Sequence, residues 1–225
     1  MELHRLKSIF KNGSQVCLFT MLLMSCDNAK RHHFKIYTEK EISTLCATLD
    51  TSVSQEILSK ALHALNANTS IKRRHLLTIV DFTKPSNEKR LYVIDLFQKK
   101  ILYQTYVSHG QKTGLLKAEH FSNTPDSHRS CLGFVKSGEL YLGKHALSLK
   151  LDGLEFGKNH LMRERDIVMH KAEYATKKFI DEHGYLGRSH GCPAIPPENS
   201  DKIVSTIAHS SLLYFHGQEA SNYRN

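Results

Sequence analysis

The chain has 225 residues, 40% hydrophobic and 24% charged, with twelve Gly and five Pro. That composition can bury a core and excludes disordered, collagen-like and Pro/Gly-rich material. The net charge of +9 and pI near 9.3 would suit an anionic partner. However, the Lys and Arg are spread along the chain, neither striped on one helix nor interleaved with aromatics, so no nucleic-acid-binding module is indicated.

Residues 1–11 set Arg5, Lys7 and Lys11 against Glu2, and Val16 to Ser25 is free of charge. A basic segment followed by a short apolar one is the pattern of an export signal. The run is too short to span a bilayer, which takes about 20 residues. It closes on Leu23-Met24-Ser25-Cys26, which resembles a bacterial lipobox. That resemblance implies removal of residues 1–25, lipidation of Cys26 and, through Asp27, retention at the inner membrane. The alternative is an export signal in which Cys26 is incidental. Processing would remove three bases and one acid and leave +7. Acyl chains on Cys26 would then hold the protein at a membrane without a span. Of five Cys, Cys46, Cys131 and Cys192 remain beyond the signal. One pair plus a free thiol, or three free thiols, fit that count, and a Cys46–Cys131 disulfide does not follow from it.

Residues 26–37 are polar and basic and read as a tether. Thr38 with Glu41 matches a capping box, and Ser52 with Gln55 matches a second. Ile57, Leu58, Ala61, Leu62 and Leu65 recur at helical spacing, so residues 38–67 predict two short helices. His75 to Phe82, Leu91 to Asp95 and Ile101 to Val107 read as strands, the last two joined by a hairpin connection at 96–100. Leu140 to Leu142, Ile167 to His170 and Leu212 to Phe215 are shorter strand candidates. Residues 172–183 predict a helix stopped by Gly184, and residues 198–208 another with Pro197 in its first turn. The expected fold class is mainly β with peripheral helices, in one domain over 75–217.

The chemistry concentrates in Gly187-Arg188-Ser189-His190-Gly191-Cys192-Pro193. A cysteine nucleophile needs thiolate character, nearby N–H groups aimed at a developing oxyanion, and a position at the floor of a cleft. Gly191 supplies backbone freedom beside Cys192, and Arg188 would favour an anionic sulfur. The competing reading is an inert buried thiol, the commoner fate of a free Cys. A base must come from fifteen His. His170 closes an apolar run, where a strand end opens into a cleft, although any single His is more often a satisfied rim or core residue. His190 is too close in sequence to reach Cys192 easily. His109 also ends a strand, before Gly110, and either lines the cleft or is structural. Arg163 and Arg165 would meet substrate carboxylates or, more simply, form exposed salt bridges. Cys131 reads as structural.

Residues 187–194, Gly-Arg-Ser-x-Gly-Cys-Pro-Ala, together with Arg165-Asp166-Ile167-Val168-Met169-His170, resemble the signature of the murein L,D-transpeptidase catalytic domain family, a branch of the YkuD-like fold. The resemblance extends through Val107 to Gly110, Tyr141 to His145 and Ser148 to Glu155, and covers about residues 75–215. It implies a YkuD-like β-sandwich and no cofactor. It implies Cys192 as nucleophile and His170 as base, the other ring nitrogen of His170 held by a backbone carbonyl near Lys171. The amides of Gly191 and Cys192 would form the oxyanion hole, and Arg188, Ser189, His190 and His109 would shape the cleft or contact substrate. The implied partners are peptidoglycan stem peptides in the bacterial envelope, with a periplasmic location. The implied reaction is transfer of a tetrapeptide acyl group through a Cys192 thioester. Hydrolysis by the same dyad is the first alternative. A non-catalytic envelope or metal-binding lipoprotein is the second, disfavoured because neither Cys-x₂-Cys nor His-Glu-x-x-His spacing occurs.

Overall fold

The structure is a computed structural model and describes residues 36–49 and 53–218. The export signal, Cys26, Asp27 and most of the tether lie outside the described residues. In chain order the elements are α1 (Glu39–Thr48), α2 (Gln55–Ala67), β1 (Leu76–Asp81), β2 (Leu91–Asp95), β3 (Lys100–Thr105), β4 (Gly133–Gly143) and β5 (Ala146–Gly153). Then come β6 (Val168–Lys171), a 3₁₀ turn (Glu173–Ala175), α3 (Lys177–His183), β7 (Ala194–Ile195), α4 (Pro197–Ile207) and β8 (Leu212–His216).

The strands form one sheet in the order β3-β2-β1-β8-β4-β5-β6-β7. Side chains alternate between its faces with the period of two that a strand imposes. Leu77 and Ile79 of β1, Tyr92 and Ile94 of β2, and Leu212 and Tyr214 of β8 point to one core. There they meet Ile42 and Leu45 of α1 and Ile57, Leu58, Leu62 and Leu65 of α2. The neighbours Val80, Leu91, Val93, Leu213 and Phe215 point to the other core, shared with Val135, Leu149, Leu151, Met169, Ile195 and the α4 residues Ile203, Val204 and Ile207. Both faces of β1 and β2 are therefore covered, which is why these strands read as unbroken apolar runs.

The second core is enclosed because the two ends of the sheet meet. Beyond β3 the chain reaches the β7 region, where Ser108 N–H donates to Ala194 O at 2.8 Å and Gly110 bridges Ser189 in parallel. Two layers thus face each other across one core, the sandwich arrangement expected.

Local signals explain most elements. Thr38 and Glu41 form the capping box of α1, with Glu41 accepting from Thr38 N–H at 2.9 Å. Helix α2 departs from expectation: its N-cap is Ser54, with no side-chain cap bond, rather than Ser52. The stretch 172–183 is a 3₁₀ turn followed by α3, because Thr176 interrupts it and caps the second piece, accepting from Phe179 N–H. Gly184 ends α3 at φ +83°, as a left-handed C-cap should. Pro197 occupies the first turn of α4. The largest departures are β4, which is eleven residues long rather than three, and β5, which sequence reading missed. Register between them shifts at Ser137/Leu140, and that irregularity breaks the alternation a single-sequence reading relies on.

The three cysteines among the described residues are unpaired: Cys46 lies in the helix-side core, Cys131 in the enclosed core, and Cys192 is half-buried. Among the described residues no helix is long and apolar enough to cross a membrane.

Leu62 of α2 is fully buried against the sheet. Leu62→Ala is expected to lower unfolding free energy by ~2–5 kcal/mol, read by urea denaturation. A loss below ~1 kcal/mol would mean that the helical pair does not stabilise the sheet.

Candidate active site

Strands β6 and β7 pair in parallel, with His170 opposite Ala194 and Lys171 opposite Ile195. Cys192, two residues ahead of Ala194, therefore lies beside Val168, two residues ahead of His170. The sulfur confirms this placement: it accepts from Val168 N–H at 3.5 Å, and its thiol donates to Asp166 O at 3.5 Å. Cys192, in the loop that leads into β7, thus lies alongside the strand that carries His170. Sγ does not hydrogen-bond the His170 ring in this resting arrangement.

His170 is 2% exposed. Its Nδ1 lies 2.9 Å from Lys171 O. A carbonyl can only accept, so Nδ1 carries the hydrogen and Nε2 is left with a lone pair, the tautomer a general base requires. Burial, with His145 and Lys144 nearby, pushes the pKa of His170 down against the raising effect of the Lys171 carbonyl, so the ring is neutral at pH 7. The Cys192 thiol is displaced upward, chiefly by burial. The Val168 N–H and the Arg165 and Lys144 charges oppose this but do not overcome it. The expectation that Arg188 keeps the sulfur anionic is therefore corrected: the cations acting on it are Arg165 and Lys144, and desolvation wins.

The loop carrying Cys192 is fixed by backbone geometry. Gly191 stands at φ +122°, and a Cβ there would come within 2.8 Å of Arg129 O and Ile167 Cδ1. Gly110 packs against it, with space for a Cβ blocked by His128 O at 2.4 Å. Ser130 Oγ accepts from Gly110 N–H and donates to Gly191 O, each at 3.0 Å, tying the two glycines together. Ser189 is nearly buried and closes the turn, donating to Cys192 O at 2.6 Å and accepting from Gly191 N–H at 3.0 Å. Ser189 thus shapes the loop, as expected, and the Gly191 amide, expected to aim at an oxyanion, is engaged by Ser189 Oγ. The Cys192 amide has no acceptor among the described residues.

The remaining predicted residues separate by burial. His109 is fully buried, its Nδ1 accepting from Arg90 at 2.8 Å and its Nε2 donating to Gly114 O at 3.1 Å. Burial and the Arg90 charge push its pKa down to about 3. It is a structural residue and does not line the cleft, a correction the sequence could not supply because a strand-ending His looks the same in either role. Arg188 is exposed on the rim and donates to Gln111 O and Gly114 O. His190 is also exposed, stacked on His128 with ring centroids 4.3 Å apart. Arg163 bonds Glu139 and Asp152 on the surface, as expected of a salt-bridge residue. Arg165 does not: it donates to Ser122 O, Arg129 O, Ser127 Oγ and Cys131 Sγ, and so clamps the loop under Cys192. Sequence reasoning assigned no role to Lys144, His145 or Tyr174. Lys144 perturbs both His170 and Cys192, and the Tyr174 phenol, pushed up to about 12 mainly by burial, also senses Cys192. A separate groove of about 460 Å³, lined by Phe121, Asn123, Leu132, Lys158 and Leu161 among others, contains neither Cys192 nor His170. Among the described residues no three His, Cys, Asp or Glu side chains gather as a metal site.

A family model described as the L,D-transpeptidase catalytic domain matches residues 49–216. The chain belongs to this family of L,D-transpeptidases. The match includes α2, all eight strands and the whole Cys192 loop. No curated protein matches the chain. Solved structures similar to it include an L,D-transpeptidase from Mycobacterium smegmatis, at 11% identity and TM-score 0.40, covering 64% of this chain and 59% of that one. An L,D-transpeptidase from Stackebrandtia nassauensis is similar at 12% identity and TM-score 0.39, covering 73% and 68%. The cell shape determining protein Pgp2 of Campylobacter jejuni is similar at 11% identity and TM-score 0.41, covering 64% and 48%. The chain thus spans 59% of the length of the first of these.

Two outcomes are expected. Gly191→Ala meets both a positive φ and a blocked Cβ, so it should destabilise the protein by ~2–4 kcal/mol in chemical denaturation, and wild-type stability would contradict the packing described. His109 protonates near 6.5 when unfolded but only near 3 when folded. Between those values the unfolded chain holds the extra proton, so stability is full above pH 6.5 and falls as pH drops. The slope is up to ~1.4 kcal/mol per pH unit from this group. His109→Gln should flatten that slope in melts taken between pH 6.5 and 4.

Proposed function

We propose that this L,D-transpeptidase-family chain is a cysteine acyltransferase acting on the stem peptides of peptidoglycan, with Cys192 as nucleophile and His170 as base. The observation that carries this reading is the β6–β7 register, which runs the loop bearing a half-buried thiol alongside the strand that carries a buried imidazole whose Nδ1–H is already committed to Lys171 O. Nε2 of His170 takes the thiol proton as Sγ attacks the carbonyl of the third stem residue. The C–S bond forms, the C–N bond to the terminal D-Ala breaks, and the protonated His170 returns its proton to the departing amine. The oxyanion faces the unpartnered Cys192 amide. An amine from a second stem then attacks the thioester, loses its proton to His170 and displaces the sulfur, leaving a 3-3 cross-link.

The resting pKa directions support a neutral thiol and neutral imidazole rather than a standing ion pair. A desolvated neutral pair transfers its proton when the acyl carbonyl arrives, which limits idle oxidation of the sulfur. The basic rim, with Arg188 and His190 exposed, suits a polymer rich in carboxylates. The N-terminal pattern supports an envelope location with Cys26 as lipid attachment point.

Cys192→Ala should abolish formation of a thioester adduct with a murein tetrapeptide, read by intact-mass spectrometry, while thermal melting stays close to wild type. Retained turnover would remove Cys192 as nucleophile. A carbapenem should likewise add its mass to the wild type and not to Cys192→Ala. Release of D-Ala without any cross-linked dimer would assign the hydrolytic outcome to the same dyad.

A further inference from the structure

The β4–β5 hairpin turns tightly at its tip, where Gly143 pairs with Ala146 and Ala146 takes φ +60°. This turn carries Lys144 and His145. The strand that follows, β5, is hydrogen-bonded to β6, with Leu149 opposite Met169 and Lys150 opposite Val168. The tip is thereby returned over the end of β6, and the His145 ring lies on the His170 ring. Their centroids are 4.2 Å apart and their planes differ by 20°. His145 is half-buried, and neither of its ring nitrogens makes a hydrogen bond among the described residues. The contact with His170 is therefore what its ring is placed for, at a hairpin whose neighbouring Leu142 projects into solvent at 82% exposure.

A single hydrogen bond from Nδ1 fixes one point of the His170 ring. The second side-chain torsion of a histidine is broad, so the ring can still tilt about that bond and swing Nε2 away from the sulfur. A flat group against one face removes that freedom. We propose that His145 is a positioning residue for His170: the hairpin tip lays one imidazole on the face of the other and so holds Nε2 toward the Cys192 side of the site. This inference rests on the Cys192–His170 reading given above.

The charges around the stack are consistent with it. Lys144 comes from the same tip, the Lys171 carbonyl from β6, and Cys192 and Tyr174 from the segments packed against them. Arg165 and Asp166 lie just before β6. Burial and Lys144 push the pKa of His145 down, as burial, His145 and Lys144 do for His170, so two neutral rings face each other at pH 7 without repulsion. At acid pH two protonated rings 4.2 Å apart would repel, and the stack would open.

The test uses the full chain and needs no substrate: iodoacetamide alkylation from pH 5 to 9, followed by the mass of the peptide that carries Cys192, because the other cysteines can also take up the reagent. In the wild type the rate should fall on the acid side with the protonation of His170. His170→Ala should react slowly and keep only the steep rise of an unassisted thiol, about tenfold per pH unit below the thiol pKa, with no inflection from the imidazole. His145→Ala should slow alkylation at pH 7 by ~10-fold, toward the His170→Ala value, with its melting temperature unchanged. His145→Phe keeps a flat ring and should recover to within about threefold of wild type, whereas His145→Gln should not. If His145→Ala folds poorly, the Phe and Gln variants decide the matter between them. Wild-type rate and pH profile in His145→Ala or His145→Gln, or a His145→Phe as slow as Ala or Gln, overturns the positioning role while slow His170→Ala leaves the dyad standing. A His170→Ala variant as fast as wild type overturns both.

Discussion

Everything in the site depends on the parallel pairing of β6 with β7. It is a ladder of only a few residues, yet it runs the strand that carries His170 alongside the segment that follows Cys192. A parallel pair cannot be made by a tight turn, so the intervening chain must travel through the 3₁₀ turn, α3 and the 184–193 loop before returning. That excursion gives the Cys192 loop its exposure on one side and its anchorage on the other. The anchorage comes from Gly110 and Ser130, which hold Gly191, and from Arg165, which holds the carbonyls beneath.

The electrostatics follow from the same placement. Bringing both groups against the enclosed core removes water from them, which raises the thiol and lowers the imidazole. Arg165 and Lys144 pull the sulfur back toward the anion without reversing the effect. Both groups therefore rest uncharged at pH 7.

Buried polar groups elsewhere serve the scaffold. Arg90 has no exposed surface and donates to Val107 O, Lys84 O and His109, with its pKa pushed down to about 9 by burial. His109 passes that connection on to Gly114 O. The chain after β3 is thus stapled from inside, and this same stretch forms the closing contact with the Cys192 loop at Ser189. Sequence spacing cannot separate His109 from His170, since each reads, from sequence, as the end of a strand. What separates them is which nitrogens find partners: both in His109, one in His170.

The sequence by itself determined the local elements and carried the family signature. The Thr38–Glu41 box, the helical recurrence through Leu65, the apolar strands β1, β2 and β8, Gly184 and Pro197 each act within a few residues of themselves. The Gly191-Cys192 loop is likewise a local requirement. Tertiary structure alone decided the length of β4 and the existence of β5, because a register shift hides their alternation. It also decided that His109 is sealed, that Arg165 is a clamp, and that His145 lies on His170. These are contacts between segments tens of residues apart, and burial, which sets both the proton affinities and the hydrogen-bond partners, is a property of the packed chain and of no stretch of it.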